Sequence, residues 1–327
     1  MNPYTDQSPD RSSLMNLLDT IRENMAQVII GRKNTIDLLL TALLADGHVL
    51  LEDVPGTGKT MTAKSLAKSL DLQFSRIQFT PDLLPSDVTG LNYFDQKESR
   101  FVLRRGPVFT HILLADEINR ATPRTQSSLL EAMEERQVTI DGDTCLLKDP
   151  FFVIATQNPV ETAGTYPLPE AQLDRFLMQI PMGYPDKKEE LAILDRFGAD
   201  NPFHHISAVC SLDHLTRLSQ AAARTYVHPL LKSYLVDLVQ ATRSHQQVLN
   251  GVSPRGSLSL YRAVCSYAFI RGRDYAVPED IKTLAPFVLS HRLTPAHTFG
   301  SPLLGRQIID QLLAATALPT EDWRQRL

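Results

Sequence analysis

The feature that most constrains this chain is a short glycine-containing loop between a strand and a helix. Residues 48–51 form a strand-like apolar run, and the apolar residues of 63–70 recur at helical spacing. The loop 53–60 between them contains Gly-Thr-Gly-Lys-Thr, and its glycines can turn backbone amides inward toward an anion. In this context Lys59 is expected to reach the β- and γ-phosphates of a nucleotide, and the Thr60 hydroxyl to bind Mg²⁺. The sequence therefore predicts a phosphate-binding loop.

The predicted nucleotide contacts run through this loop into the first helical turn. They are Asp53, Val54, Pro55, Gly56, Thr57, Gly58, Lys59, Thr60 and Met61. Asp53 departs from the strict motif, which has glycine at that position. Because this residue begins the loop and does not touch the γ-phosphate, we expect the change to be tolerated.

Two acids end a second apolar strand, and an amide ends a third. Asp116 and Glu117 follow the apolar run Ile-Leu-Leu-Ala, and Asn158 follows the run Phe-Val-Ile-Ala-Thr-Gln. In a parallel sheet these ends share one crevice with the loop of Lys59. Asp116 is predicted to hold Mg²⁺ and Glu117 to orient and polarise the attacking water. Asn158 would contact the water or the γ-phosphate, although an Asn-Pro turn without function is the alternative.

The hydrophobic pattern predicts an α/β core followed by a helical domain. Strands are predicted at 48–51, 74–79, 111–115, 151–156 and 176–181, alternating with helices. From residue 186 onward we find helical stripes and no strand pattern. We expect a mobile segment at 1–13, a core at 14–183 and an all-α lid at 184–327.

Composition limits the classes of partner. The chain has 327 residues, a formal net charge of −4 and a pI near 6.1, so it has no general attraction for nucleic acid or an anionic membrane. Its three cysteines are far apart, its N-terminal segment lacks an apolar signal core, and no run of residues is long and apolar enough to span a membrane. We expect a soluble cytoplasmic protein.

Two arginines occupy positions of interest. Arg175 directly precedes the last predicted strand, and Arg255 follows Ser253-Pro254 at the start of a helix. A cation in a first helical turn opposes the helix dipole, and an anionic ligand would remove that conflict. Taken alone, each arginine fits an ordinary surface or ion-pair role.

The order of these motifs resembles the AAA+ ATPases, and specifically the MoxR family. The resemblance covers nearly the whole chain after about residue 14. The segments that carry it are 114–121, 125–135, 155–159, 165–176, 253–255, 272–275 and 278–280.

The resemblance implies an AAA+ core with a five-stranded parallel sheet and a helical lid, which binds ATP or ADP with Mg²⁺. Lys59 and Thr60 take the Walker A roles, Asp116 and Glu117 the Walker B roles, and Asn158 the sensor 1 role. Arg175 resembles the arginine finger that acts on ATP in the neighbouring subunit. Arg255 resembles sensor 2, which reads the γ-phosphate from the lid. The segment 28–31, including Ile30 and Gly31, would line the adenine pocket.

The resemblance also implies partners. Relatives assemble into rings, usually hexamers of one chain. They act as chaperone-like factors that mature or activate other proteins, often ones with a von Willebrand factor A domain.

Two insertions match the same branch of the family. Residues 137–148 predict a hairpin around Asp141-Gly142, a strong turn signal, and residues 86–109 resemble the helix-2 insertion. In related rings these elements face the central channel. Solvent-exposed hairpins without function are the alternative.

Three other functions remain open at the level of sequence. The first is a nucleic-acid motor of the same AAA+ branch, against which the acidic charge argues. The second is an ATPase subunit of a magnesium chelatase. The third is a nucleotide-gated scaffold without catalysis, against which the intact acid pair argues.

Overall fold

The computed structural model describes residues 11–52, 56–158, 164–198, 200–296, 302–320 and 323. Of the predicted nucleotide contacts, Asp53, Val54 and Pro55 lie outside the described residues. The predicted N-terminal segment lies outside them up to residue 10, and its last three residues begin a helix.

A five-stranded parallel sheet forms the centre of the molecule, in the order β2-β5-β8-β1-β9. Its strands are β1 (His48–Glu52), β2 (Phe74–Gln78), β5 (Ile112–Asp116), β8 (Phe152–Gln157) and β9 (Phe176–Pro181). The five predicted strands are therefore confirmed, each within one residue at either end. Because β5, β8 and β1 are interior strands covered on both faces, they required the continuous apolar runs seen in the sequence.

Alternate residues of each strand enter two separate hydrophobic clusters. In β1, Val49 and Leu51 point into one cluster, whereas Leu50 points into the other. Helices α1 (Arg11–Ala26), α2 (Lys33–Leu44) and α3 (Lys59–Ser69) cover the first face. Helix α5 (Pro123–Glu135) covers the second face. The layers confirm the predicted α/β sandwich.

Both predicted insertions form antiparallel hairpins. The first consists of α4 (Pro85–Thr89), β3 (Gly90–Asp95) and β4 (Arg100–Arg105). The second consists of β6 (Gln137–Ile140) and β7 (Asp143–Leu146), and its turn has φ of 51° at Asp141 and 94° at Gly142. Positive φ at both central residues is what the two-residue turn predicted from Asp-Gly requires.

The remaining elements are mostly helical. They are α6 (Glu170–Leu173), α7 (Lys187–Phe197), α8 (Leu212–Ala223), α9 (Pro229–Ser244), α10 (Pro254–Ile270), α11 (Pro278–Leu289) and α12 (Pro302–Ala315). The prediction of an all-α lid is wrong in one detail, because β10 (Val248–Asn250) pairs with β11 (Thr294–Pro295). Strands of three and two residues are too short to show a period of two.

The helical region and the core share one of the two hydrophobic clusters. Leu260 of α10 and Leu284 of α11 belong to the same cluster as Val49 of β1. Among the described residues, no helix combines the length and the apolar character needed to cross a membrane.

Candidate active site

The glycine-rich loop lies where β1 ends and α3 begins. Gly56 and Gly58 have φ of 89° and 87°, a region that L side chains rarely adopt. A Cβ at either position would meet no other atom within 4 Å, so backbone conformation, and not space, demands glycine here. Lys59 and Thr60 form the first turn of α3. Their amides thus lie at a helix N-terminus, an arrangement that binds phosphate.

The acid pair lies at the same carboxyl edge of the sheet, with the two acids in different environments. Asp116 is buried and accepts hydrogen bonds from the hydroxyl of Thr156 at 2.6 Å and from Nη2 of Arg76 at 2.8 Å. The same Thr156 hydroxyl accepts from the backbone N–H of Glu117 at 2.8 Å. Thr156 on β8 therefore holds the carboxylate of Asp116 and the backbone of Glu117 through one oxygen atom.

Glu117 has a strained backbone and a held side chain. Its φ of 55° places a non-glycine residue in the left-handed region, which costs roughly 1–3 kcal/mol and is frequent at functional sites. Its Oε2 accepts from Nε2 of Gln78 at 2.8 Å and pairs with Nε of Arg120 at 2.8 Å. Each acid is thus paired with an arginine of its own chain.

Two further polar groups extend this edge. Asn158 follows β8 and is buried, and its carbonyl accepts a hydrogen bond from Asn119 at 3.4 Å. Glu52 ends β1 and accepts from Nε2 of Gln157 at 2.8 Å. Burial raises the pKa of Glu52, and hydrogen bonds from Gln157 and Gln179 partly oppose that rise.

The predicted adenine segment lines a cleft of about 460 Å³ beside the same edge. Ile30 and Gly31 form part of its wall, and Arg196 of α7 closes another part. Arg32 donates to the carbonyls of Met182 and Gly183, which follow β9, so the segment lies at the carboxyl ends of the strands. Gly31 has φ of 74° and lies directly against Glu189.

The two candidate arginines lie together at the opposite edge of the sheet. Arg175 directly precedes β9, and Arg255 lies in the first turn of α10. Both pair with Glu134, through Nε of Arg175 at 3.0 Å and Nη2 of Arg255 at 2.5 Å. They line a cleft of about 380 Å³ that also includes His48, the first residue of β1.

This location bears on the prediction that Arg255 reads a γ-phosphate from the lid, because Arg255 lies far from the loop of Lys59 in the same chain. The loop of Lys59 follows the carboxyl end of β1, whereas Arg255 lies at the amino end of the parallel β9. Five residues of strand separate the two edges by roughly 16 Å. The arginines therefore cannot contact phosphates bound at Lys59 of the same chain in this conformation.

Comparison with known proteins identifies the family of this fold. Residues 48–178 match the "ATPase family associated with various cellular activities (AAA)", and residues 240–312 match the "AAA lid domain". Chaperone MoxR1 of Mycobacterium tuberculosis is 43% identical over 90% of this chain and 80% of its own length. Protein MoxR of Paracoccus denitrificans is 31% identical over 89% of this chain and 93% of its own length. The chain belongs to the MoxR family of AAA+ ATPases.

Two other relatives extend the likeness across the whole fold. YeaC of Bacillus subtilis, whose function is uncharacterized, is 49% identical over 93% of this chain and 96% of its own length. A crystal structure from Cytophaga hutchinsonii, of a protein provisionally described as an ATPase, superposes with a TM-score of 0.87. It is 39% identical, and the match covers 95% of this chain and 97% of that one.

In this MoxR-family chain, sequence reasoning missed the groups that hold the site. Thr156, Gln78 and Arg76 were not expected to contact the acid pair, and Glu134 was not expected to bridge two arginines. The strand positions of Gln78 and Arg76 could have suggested the first contacts, since β2 neighbours β5 with Gln78 opposite Asp116. No sequence signal connects Glu134 to Arg255, 121 residues away.

Proposed function

We propose that this chain hydrolyses ATP with Mg²⁺ at sites completed between neighbouring copies, and that it uses the energy in a chaperone-like way on client proteins. One observation carries this proposal. The phosphate-binding loop and the pair Arg175 and Arg255 lie at opposite edges of one sheet, so a site that uses both needs two chains. A head-to-tail contact of this kind repeats around a closed ring.

Within one chain, the carboxyl edge would bind and activate the substrate. Lys59 and the amides that follow Gly56 and Gly58 would hold the β- and γ-phosphates. Glu117 would orient the attacking water once its side chain leaves Gln78 and Arg120, and Asn158 would contact the water or the γ-phosphate. Ile30 and Gly31 would contact the adenine.

The donor set at this edge is chemically suited to Mg²⁺. Asp116 offers a carboxylate and Thr60 a hydroxyl, and Mg²⁺ uses few protein oxygens because the nucleotide phosphates and water supply the rest. Among the described residues, no group of three or more His, Cys, Asp or Glu side chains forms a metal cluster of its own. When bound, Mg²⁺ would neutralise phosphate charge. Asp116, which pairs with Arg76 in this structure, and Thr60 would hold the metal.

The neighbouring copy would supply the positive charge needed in the transition state. An arginine that stabilises a transferring phosphoryl group contributes about 10³–10⁵ in rate. We assign that role to Arg175, with Arg255 beside it contacting the same γ-phosphate. Hydrolysis and phosphate release in one chain would thereby remove contacts to Arg175 in the core and Arg255 in the lid of the next chain.

The chaperone-like role rests on the family and on the name of the relative Chaperone MoxR1. We propose clients that carry a von Willebrand factor A domain, a hexameric ring and a cytoplasmic location. The three unpaired cysteines support a reducing compartment, and cell fractionation tests it.

The first experiment measures ATP hydrolysis per protomer against protein concentration, with and without Mg²⁺, alongside sedimentation at each concentration. We expect specific activity to rise as assembly proceeds. Lys59→Ala and Arg175→Ala should each abolish most turnover, and only Lys59→Ala should weaken ATP binding to the isolated chain. A monomer that turns over at the full rate would exclude the shared site.

A second experiment addresses the client. Purified chain and Glu117→Gln chain are each incubated with ATP and proteins that carry a von Willebrand factor A domain, and client activation is measured. We expect activation only by the wild-type chain. ATPase activity stimulated by DNA, or activity only with a magnesium-inserting complex, would favour the other two branches instead. Equal activation by Glu117→Gln would favour a nucleotide-gated scaffold.

A further inference from the structure

The cleft between the candidate arginines contains an acid whose position breaks a local rule. Glu134 lies in the last turn of α5, where a negative charge opposes the helix dipole. Glu135 shares this last turn, so the ion pairs of Glu134, and not its place in the helix, distinguish it. Its two oxygens divide between the arginines, with Oε2 toward Arg175 and Oε1 toward Arg255.

The ion pair of Arg175 with Glu134 does not involve the terminal amino groups of the guanidinium. The ion pair with Glu134 uses Nε, at 3.0 Å. Among the described residues, neither terminal amino group of Arg175 has an acceptor. A guanidinium that is held through Nε can still present both terminal amino groups to a phosphate. Glu134 thus contacts the arginine from behind and need not compete with an incoming anion.

The helix end that carries Glu134 is a firm support. The carbonyl of Met133 accepts from Nε2 of buried His48 at 3.1 Å. Arg136, which caps the helix in the left-handed region, donates to the carbonyl of Phe151 and to Oδ1 of Asp46 at 2.6 Å. These contacts tie the last turn of α5 to the segments that precede β1 and β8. A side chain on such a rigid helix end can be positioned with the precision that catalysis requires.

A second acid of the cleft, Asp174 in the core, is contacted by arginines of the lid. Asp174 accepts from Nε of Arg292 at 2.7 Å and lies 3.9 Å from Nε of Arg255. Five arginines and three carboxylates line the cleft, so positive charge remains in excess and attracts an anion.

We propose that Glu134 is a positioning residue that aims Arg175 and Arg255 at the γ-phosphate bound in the neighbouring chain. This rests on the shared site proposed above. Glu134 touches no substrate. It acts by holding the two guanidinium groups in the orientation that the neighbour's phosphate needs, before that neighbour arrives.

The test compares Glu134→Gln with Glu135→Gln, the same change of charge on the next residue. Glu135 is exposed and forms no ion pair among the described residues. We expect Glu134→Gln to lower kcat several-fold, and Glu134→Ala to lower it by up to about 10²-fold, as misplaced catalytic groups do. ATP affinity of the isolated chain should not change, because Lys59 lies at the opposite edge. Glu135→Gln should match wild type in both.

Mixing separates positioning from a folding defect. Glu134→Ala chains have an intact phosphate-binding loop, whereas Lys59→Ala chains have intact arginines. Each is nearly inactive alone, and we expect their mixture to regain turnover. In a Glu117→Gln background, sedimentation with ATP should show a loss of ATP-dependent association for Glu134→Gln and none for Glu135→Gln.

The outcomes distinguish the inference from the function that it depends on. If Arg175→Ala is inactive while Glu134→Gln matches Glu135→Gln in kcat and association, the positioning role is wrong and the shared site stands. If Arg175→Ala hydrolyses ATP at the wild-type rate, the shared site itself is wrong. Failure of the mixture to exceed its separate components would also overturn the positioning role.

Discussion

At the scale of single residues, His48 shows how a buried side chain can connect the sheet to the site. Its Nε2 donates to the carbonyl of Met133 at 3.1 Å, and its Nδ1 accepts from the backbone N–H of Val153 at 3.1 Å. Protonation of Nδ1 would leave two donors facing each other with no acceptor between them. Burial, reinforced by the charge of Arg136, lowers the pKa of His48 from 6.5 to about 3.

This lowered pKa predicts a loss of stability in acid. Between pH 6.5 and 3 the unfolded chain binds a proton at His48 that the folded chain does not. The contribution is therefore fully present above pH 6.5 and falls by about 1.4 kcal/mol per pH unit below it. The pKa of buried His291 is also lowered by burial, so His291 likewise reduces the free energy of unfolding as the pH falls.

Urea denaturation of wild type and His48→Asn at pH 6.5 and pH 5 measures this effect. The asparagine variant starts less stable, because it fits the site less well, but it should lose less free energy of unfolding between the two values. Equal losses in the two proteins would show that His48 does not titrate as its contacts require.

At the scale of elements, α5 links the two edges of the sheet. It begins a few residues after Glu117, at the carboxyl edge, and its last turn carries Glu134 at the amino edge. Thirteen residues of helix span about 20 Å, slightly more than the roughly 16 Å of a five-residue strand. The hairpin β6–β7 follows directly, so any displacement of this helix end reaches the hairpin.

The turn of that hairpin depends on one glycine. Gly142 has φ of 94°, and a Cβ there would meet nothing within 4 Å. Substitution therefore costs backbone strain alone, roughly 1–2 kcal/mol for an ordinary residue. Asp141 in the same turn accepts from Asn92 of β3 at 3.0 Å, which joins the two insertions.

We predict that Gly142→Val opens the hairpin locally without unfolding the sheet. Hydrogen exchange should show lost protection of the amides of β6 and β7, with unchanged protection in β5 and β8. Gly142→Asn is the control, since asparagine tolerates positive φ better than valine. Similar protection in the valine and asparagine variants would mean that turn conformation does not limit hairpin stability.

At the scale of the whole molecule, one buried arginine joins the lid to the core. The side chain of Arg292 is 2% exposed, and it donates to Asp174 and to the carbonyls of Phe176 and Leu177 at the start of β9. The preceding His291 also contacts the carbonyl of Phe176, at 3.1 Å. The lid thus holds the segment that carries Arg175.

Removal of this arginine should destabilise the whole protein. Arg292→Met removes the donor to Asp174 and to the carbonyl of Leu177, which costs about 3–5 kcal/mol for a broken buried pair. Arg292→Lys should rescue little, because one ammonium cannot replace a fork of donors. Arg262→Met is the control, since Arg262 lines the same cleft but is exposed, and such changes usually stay within about 0.5 kcal/mol.

The measurement is chemical denaturation followed by circular dichroism. The prediction requires a clear gap in the free energy of unfolding between the Arg292 variants and Arg262→Met. If all three unfold at the same urea concentration, the docking of the lid depends on the shared hydrophobic cluster and not on Arg292.

The sequence by itself determined what depends on neighbours along the chain. The five strands, the loop of Gly56 to Thr60, the two acids after β5 and the hairpin turn at Gly142 all follow from short-range patterns. Apolar runs, helical spacing and residues that tolerate positive φ act within a few positions, so their outcome can be read from the residues alone.

Only the tertiary structure decided which distant groups meet. It placed Arg255 with Arg175 at the edge of the sheet opposite Lys59. It also revealed the contacts of Thr156 with the acid pair and of Glu134 with both arginines. Such pairings depend on strand order and on the docking of the lid. The local sequence does not favour one oppositely charged partner of an arginine over another. Folding selects among them through the packing of the whole chain.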